Sequence, residues 1–142
     1  MARETAKQAV SFRFDPKTVR HLKRRAEEIG APQATLAERY VEEGLRMDEH
    51  PLIYFREGAA GRRPALIGTR LDVATVVETL REHDSSIEDT ADYLDLPVGQ
   101  VEEVLRYYIA YKGEVDEWLR RARREAERER TLWQRRQEAL VE

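Results

Sequence analysis

The sequence contains no cysteine, which excludes disulfides, thiolate nucleophiles and cysteine metal sites and fits a reducing compartment. No apolar run approaches the ~20 residues that a membrane-spanning helix needs, and the N-terminus lacks a signal-peptide core. The expectation is a soluble, cytoplasmic protein with no membrane partner. Histidine is scarce: His21, His50 and His83 lie in three separate segments, with no metal-ligand spacing and no nucleophile beside them. No glycine-rich loop of the phosphate-cradling kind is present. The acidic residues are many but form no motif, so we expect no catalytic residue, no metal and no cofactor: the chain reads as a non-enzyme.

What is there is charge. At 142 residues, the chain has room for one ordinary domain or two very small ones, each marginal on its own core, so subunit association is expected. Apolar residues make up 41% and charged residues 37%, a composition for compact folded parts with well-solvated helices. The net charge of -3 hides an asymmetry. Between Met1 and Arg25 the basic residues Arg3, Lys7, Arg13, Lys17, Arg20, Lys23, Arg24 and Arg25 outnumber Glu4 and Asp15. The stretch 48–112 is acidic, and the tail from Gly113 balances arginine against glutamate. A basic end on an acidic chain points to an anionic partner, with nucleic acid first.

Val10, Phe12 and Phe14 alternate with Ala9, Ser11 and Arg13, the pattern of a strand with one apolar face. Asp15 then suits a helix N-cap and Pro16 the first helical position, where a missing N–H costs nothing. Val19, Leu22, Ala26 and Ile29 follow at helical spacing, and Gly30 is a natural stop. A second helix begins near Pro32, with Leu36, Tyr40, Val41 and Leu45 as its expected buried stripe. A single strand cannot satisfy its own backbone groups. Its partner must come from elsewhere in the chain or, better, from a second copy, giving a two-stranded ribbon.

Residues 9–46 resemble a ribbon-helix-helix DNA-binding domain of the Arc and CopG type. The resemblance implies an intertwined dimer whose ribbon enters the DNA major groove. It assigns base reading to Ala9, Ser11 and Arg13, and phosphate contact to the start of the second helix at Gln33, Ala34 and Thr35. Arg13, with its bidentate fork for guanine, would carry most of the readout, while Ala9 offers at most a contact with a thymine methyl. Unlike many members, the chain has no Ser or Thr cap before Pro32. Arg3 and Lys7 are candidates for an arm along the DNA backbone.

Asp48-Glu49-His50-Pro51 reads as a linker. Beyond it Leu52 to Phe55 and Ala65 to Ile67 are short apolar runs around a turn at 58–61, which predicts a hairpin, and Gly68 marks a tight turn. Val73, Val76, Val77 and Leu80 predict one helix. Ser85-Ser86-Ile87-Glu88 has the form of a capping box opening a second, with Ile87, Ala91 and Leu94 buried, and Val98, Val101, Val104, Leu105 and Tyr108 predict a third. That order describes a helix-turn-helix core.

The segment Gly61, Pro64, Ile67-Gly68-Thr69-Arg70-Leu71 and Val73, followed by Ile87, Leu94, Leu96, Val101, Val104, Leu105 and Tyr108, resembles the small antitoxin-like domain of unknown function four-three-three. Such domains are often encoded beside a PIN-like ribonuclease and are taken to be VapB-type antitoxins. Glu102 and Glu103 on the outer side of the third helix repel phosphate, which favours a structural or dimer-forming role there. Arg62, Arg63 and Arg70 could touch phosphate; for Arg70 a buried pair with Asp72 or Glu78 is an equal alternative.

The tail from Glu114 to Leu140 predicts one long helix. Val115, Leu119, Ala122, Ala126, Trp133 and Leu140 lie on a near-heptad seam that Glu129 and Arg136 interrupt. One reading is a self-paired solvated helix, with pairs such as Arg121 with Glu125 and Arg123 with Glu127. The other, by family analogy, is docking on the acidic cleft of a PIN-like ribonuclease toxin through Trp118, Arg121, Arg124, Arg128 and Trp133.

The expected fold class is therefore mainly α with a small β content: a swapped ribbon-helix-helix dimer (1–47), a β-hairpin and helix-turn-helix domain (51–112) and a charged C-terminal helix (113–142). The expected function is that of an antitoxin that represses its own operon through operator DNA and neutralises a PIN-like ribonuclease. The expected assembly is a homodimer, with pairing into tetramers left open. The alternatives are a ribbon-helix-helix repressor without a toxin, its second domain used for oligomerisation, and an interaction adaptor with no DNA role.

Overall fold

The computed structural model describes residues 6–58 and 61–141. Arg3 of the expected arm and residues 59–60 of the expected turn lie outside the described residues. The protein is mainly helical with one small antiparallel hairpin, in the order α1 (Pro16–Ile29), α2 (Gln33–Glu49), β1 (Ile53–Gly58), β2 (Gly61–Leu66), α3 (Val73–Glu82), α4 (Ile87–Leu94), α5 (Val98–Ala110) and α6 (Lys112–Leu140). The chain divides into two compact units, 1–44 and 45–142, so the last turn of α2 belongs to the second.

In the first unit, Pro16 occupies the first turn of α1, with Asp15 at the N-cap in extended backbone but making no side-chain cap bond. Gly30 ends the helix at φ 67°, its N–H reaching the Ala26 and Glu27 carbonyls. This left-handed position is one that a residue without Cβ occupies at no steric cost.

The expected strand over 9–15 forms no ladder within the single chain. Its backbone groups require a facing strand, and the described residues of this chain supply none. Val10, Phe12 and Phe14 are consequently well exposed, at 66%, 69% and 55%.

Nor is the stripe of α2 closed. Leu36 is buried, but Tyr40, Val41 and Leu45 are exposed. Ala26 and Leu36 are the buried apolar residues that the described part of this unit can muster, far too few for a 44-residue unit to stand alone.

The second unit has a continuous core. Ile53 and Leu66 of the hairpin, Val73, Val76 and Val77 of α3, Ala91 of α4, Val101, Val104 and Tyr107 of α5, and Val115 and Leu119 of α6 pack together. Strand register runs from Ile53↔Leu66 to Gly58↔Gly61, and Gly68 takes φ 76° in the turn that returns the chain to α3.

Three local departures have simple causes. Residues 48 and 49, expected in a linker, extend α2, because His50 is buried and anchors the end of the helix. The cap of α4 is Ser86, whose hydroxyl accepts from the Asp89 N–H at 3.2 Å. Ser85 sits at φ 63°, outside the extended backbone an N-cap needs, so the capping pattern is shifted by one residue. Finally, α6 starts at Lys112 rather than Glu114 and buries only Val115 and Leu119 of its seam; every residue from Arg120 to Val141 is exposed.

Candidate nucleic-acid interface and C-terminal arm

Ala9, Ser11 and Arg13 lie in an N-terminal segment with no helix or strand of its own and are exposed, as are all its described residues from 6 to 15. Arg13 makes no ion pair among the described residues. Lys7 reaches Glu38 of α2 at 3.0 Å, but both side chains are more than half exposed, so the pair holds the segment only weakly. Gln33, Ala34 and Thr35 form the exposed first turn of α2, where backbone N–H groups have no helical partner.

Phe14 of the same segment joins Val19, Leu22, Tyr40 and Val41 around an apolar groove of about 570 Å³. Phe12 and Phe14 stack on each other at 6.3 Å rather than on a core.

The second unit is held by three charged clusters. In the first, the Arg46 guanidinium donates to the Tyr107 hydroxyl at 3.0 Å and to Glu114 at 2.6 Å and lies 3.9 Å over the Tyr111 ring. Burial opposes its charge, but the bonds to Glu114 and Tyr107 outweigh this and hold Arg46 above its ordinary pKa. Burial pushes the Tyr107 phenol up to about 12. His50 packs edge-on against Tyr107 and Tyr111 at 5.1 and 6.0 Å. Its Nδ1 is buried without a hydrogen-bond partner. Burial and then the Arg106 charge lower its pKa.

In the second cluster, Asp116 of α6 accepts from Lys112 at 2.8 Å, from the Tyr108 hydroxyl at 2.6 Å and from Arg81 of α3 at 2.8 Å. Those bonds, Lys112 foremost, hold its carboxyl well below the usual range.

In the third, Arg56 donates to Asp72 from Nε and Nη2 at 2.9 and 2.6 Å, and Arg63 approaches the same carboxylate at 3.4 Å. Arg56 and Arg63 face each other across the hairpin, a like-charge pairing that Asp72 neutralises. The partner of Asp72 is therefore not Arg70, which is exposed like Glu78.

The expected toxin-contacting residues are placed differently from one another. Trp118 is partly buried: Arg63 stacks on its ring at 4.6 Å, and its edge lies 3.4 Å from where a Cβ on Gly61 would sit. Trp133 is 61% exposed. Arg121 and Arg124 approach Glu117 at 3.5 and 3.4 Å, so these arginines share Glu117, and Glu125 and Glu127 make no ion pair among the described residues. Arg128 makes no ion pair among the described residues.

The sequence reading missed Arg46, His50 and Glu114, since a cluster between a helix end and two later helices leaves no local spacing to detect. Among the described residues no group of three His, Asp or Glu side chains could hold a metal ion, and no helix is long and apolar enough to cross a membrane. Compared with family models, with curated proteins and with solved structures, the chain matches none.

Proposed function

We propose that the protein is a homodimeric, cytoplasmic DNA-binding regulator, and that it acts as the antitoxin of a PIN-like ribonuclease whose operon it represses. The observation that carries the DNA half is the N-terminal segment. It has no strand partner among the described residues, lies in the basic stretch 1–25, and leaves its three apolar side chains exposed, with Phe14 lining an open apolar groove. A second copy would supply the missing strand and cover that groove. Ser11 and Arg13 would then lie on the outer face of a ribbon of the width the major groove admits. Lys7 and the first turn of α2 at Gln33, Ala34 and Thr35 would meet phosphates.

The toxin half rests on the resemblance of residues 61–111 and on the exposed arginines of α6. One observation favours the plain repressor as a second reading: Trp118, an expected toxin anchor, is already packed against the hairpin.

Fluorescence anisotropy on DNA from just upstream of the gene tests the first half. The wild type should prefer that duplex to a scrambled one, with affinity falling steeply with salt, and Arg13→Ala should lose the preference. Equal binding by both proteins would reject base readout. Co-expression with the product of the adjacent gene, followed by an RNA-cleavage assay, tests the second half; undiminished cleavage leaves the plain repressor.

A further inference from the structure

Between Glu82 and Glu103 the chain carries eight carboxylates and no lysine or arginine. Glu103 turns to Arg106 at 2.9 Å; the others make no ion pair among the described residues. Glu88, Asp89 and Asp92 on α4, Asp95 at its end and Glu102 on α5 are all exposed. Tyr93 stands among them, 70% exposed.

The second surface is the outer part of α6, where eight arginines stand against four glutamates from Arg120 to Leu140. Arg121, Arg124, Arg128 and Arg135 recur at helical spacing and share one stripe. Leu132, 56% exposed, lies beside them in a shallow groove.

Elsewhere in the same unit opposite charges find each other within the chain: Arg46 with Glu114, Arg56 with Asp72, Arg81 with Asp116. On the stripe, Arg121 and Arg124 share the single carboxylate of Glu117, and Arg128 and Arg135 make no ion pair among the described residues. The arm therefore keeps an excess of positive charge facing away from the core, while the α4–α5 face keeps an excess of negative charge. The helix that carries the arginines is continuous from Lys112, and its stripe makes no ion pair with the chain's own α4.

We propose that the α6 arm of one chain docks on the acidic α4–α5 face of a second copy, with the arginine stripe over Glu88, Asp92 and Glu102 and with Leu132 against Tyr93. A nucleic acid would satisfy the arm but be repelled by the acidic face, and a basic protein would do the reverse. A second copy satisfies both surfaces at once, and reciprocal exchange closes the pair with two-fold symmetry. The inference stands apart from operator binding, and it gives the α6 arginines a second occupant that competes with a toxin for them.

Because the chain has no cysteine, the contact can be trapped in the full-length protein. Chains carrying Arg128→Cys are mixed with chains carrying Asp92→Cys and oxidised mildly, and the disulfide-linked heterodimer is read on a non-reducing gel. The expected result is efficient linkage at low salt that falls about tenfold or more in half-molar salt, where the Debye length is only a few Å. Adding Arg124→Glu and Arg135→Glu to the arm chain should abolish it; adding Glu88→Arg and Glu102→Arg to the partner should restore it. Circular dichroism checks that each variant folds.

Three outcomes overturn the proposal. One is linkage no greater than with Arg20→Cys, which reports on the basic N-terminal segment as a rival occupant. Another is linkage indifferent to charge reversal. The third is a chain bearing both cysteines that closes the bond within itself.

Discussion

Replacing Arg46 with alanine should destabilise the second unit by about 3 kcal/mol, and the structure says where the loss arises. Tyr107 is fully buried, and its hydroxyl accepts from Arg46 at 3.0 Å. An orphaned buried hydroxyl costs ~1–3 kcal/mol. The guanidinium over Tyr111 at 3.9 Å adds ~0.5–2 kcal/mol as a largely desolvated cation–π contact. The 2.6 Å bond to Glu114 is shorter, but that carboxylate is 45% exposed, so water recovers much of it and we assign it ~0–1 kcal/mol.

The orphaned hydroxyl gives the reasoning its sharpest test. In a Tyr107→Phe background no hydroxyl is left to strand, so Arg46→Ala should cost about 1 kcal/mol less there than in the wild type. Urea unfolding followed by Trp118 emission, with Trp133 replaced by Phe so that Trp118 is the sole reporter, isolates the unit concerned. A loss below 1 kcal/mol, or the same loss with and without the Tyr107 hydroxyl, would refute this account of the cluster.

Two further perturbations read the same unit. His50 is held below its ordinary pKa by burial, so the unfolded chain takes up the proton first as pH falls through about 6.5. Stability should be full above that value and decline as pH falls through the folded-state pKa. His50→Phe should flatten that part of the urea midpoint-against-pH curve; an unchanged curve rejects the assignment. Asp116→Asn should cost about 2 kcal/mol by weakening bonds to Lys112, Tyr108 and Arg81. Because the folded-state pKa of Asp116 is depressed, its contribution is present above about pH 4 and lost in stronger acid, so wild type and variant should converge there in thermal melts.

The elements with local signals were legible and those with distant partners were not. Pro16 and Gly30 bracket α1 because missing-donor and left-handed positions are written into single residues. The hairpin could be placed because turn glycines separate two apolar runs. The stripe of Tyr40, Val41 and Leu45 was expected to be buried, and periodicity does say that these residues want a partner. It cannot say whether the partner lies in the same chain, and here they stay exposed. A pair with Arg70 was one of the alternatives open for Asp72, whereas the hairpin register sets Arg56 and Arg63 opposite each other and both reach Asp72. The alternation of Ser11 and Arg13 with Val10, Phe12 and Phe14 can be read from the sequence by itself, but Arg46, His50 and Glu114 are joined only by tertiary packing.

The arm poses a last physical question: why should more than twenty exposed residues remain helical? An isolated peptide of that length would be marginal, because the first turn must be ordered before any bond rewards it. In this chain that step is taken by the core. Val115 and Leu119 are buried, Asp116 ties the same turns to α3 and α5, and each later residue only propagates an existing helix. From Arg120 to Leu140 the sequence has no glycine and no proline, and Thr131 is its sole β-branched residue, so propagation meets little resistance. Glu117, bonded to Arg120 at 2.9 Å, adds local support where the helix leaves the core. The arginine stripe is thus presented on a helix already formed, and a partner that takes it need not supply the entropy of folding it.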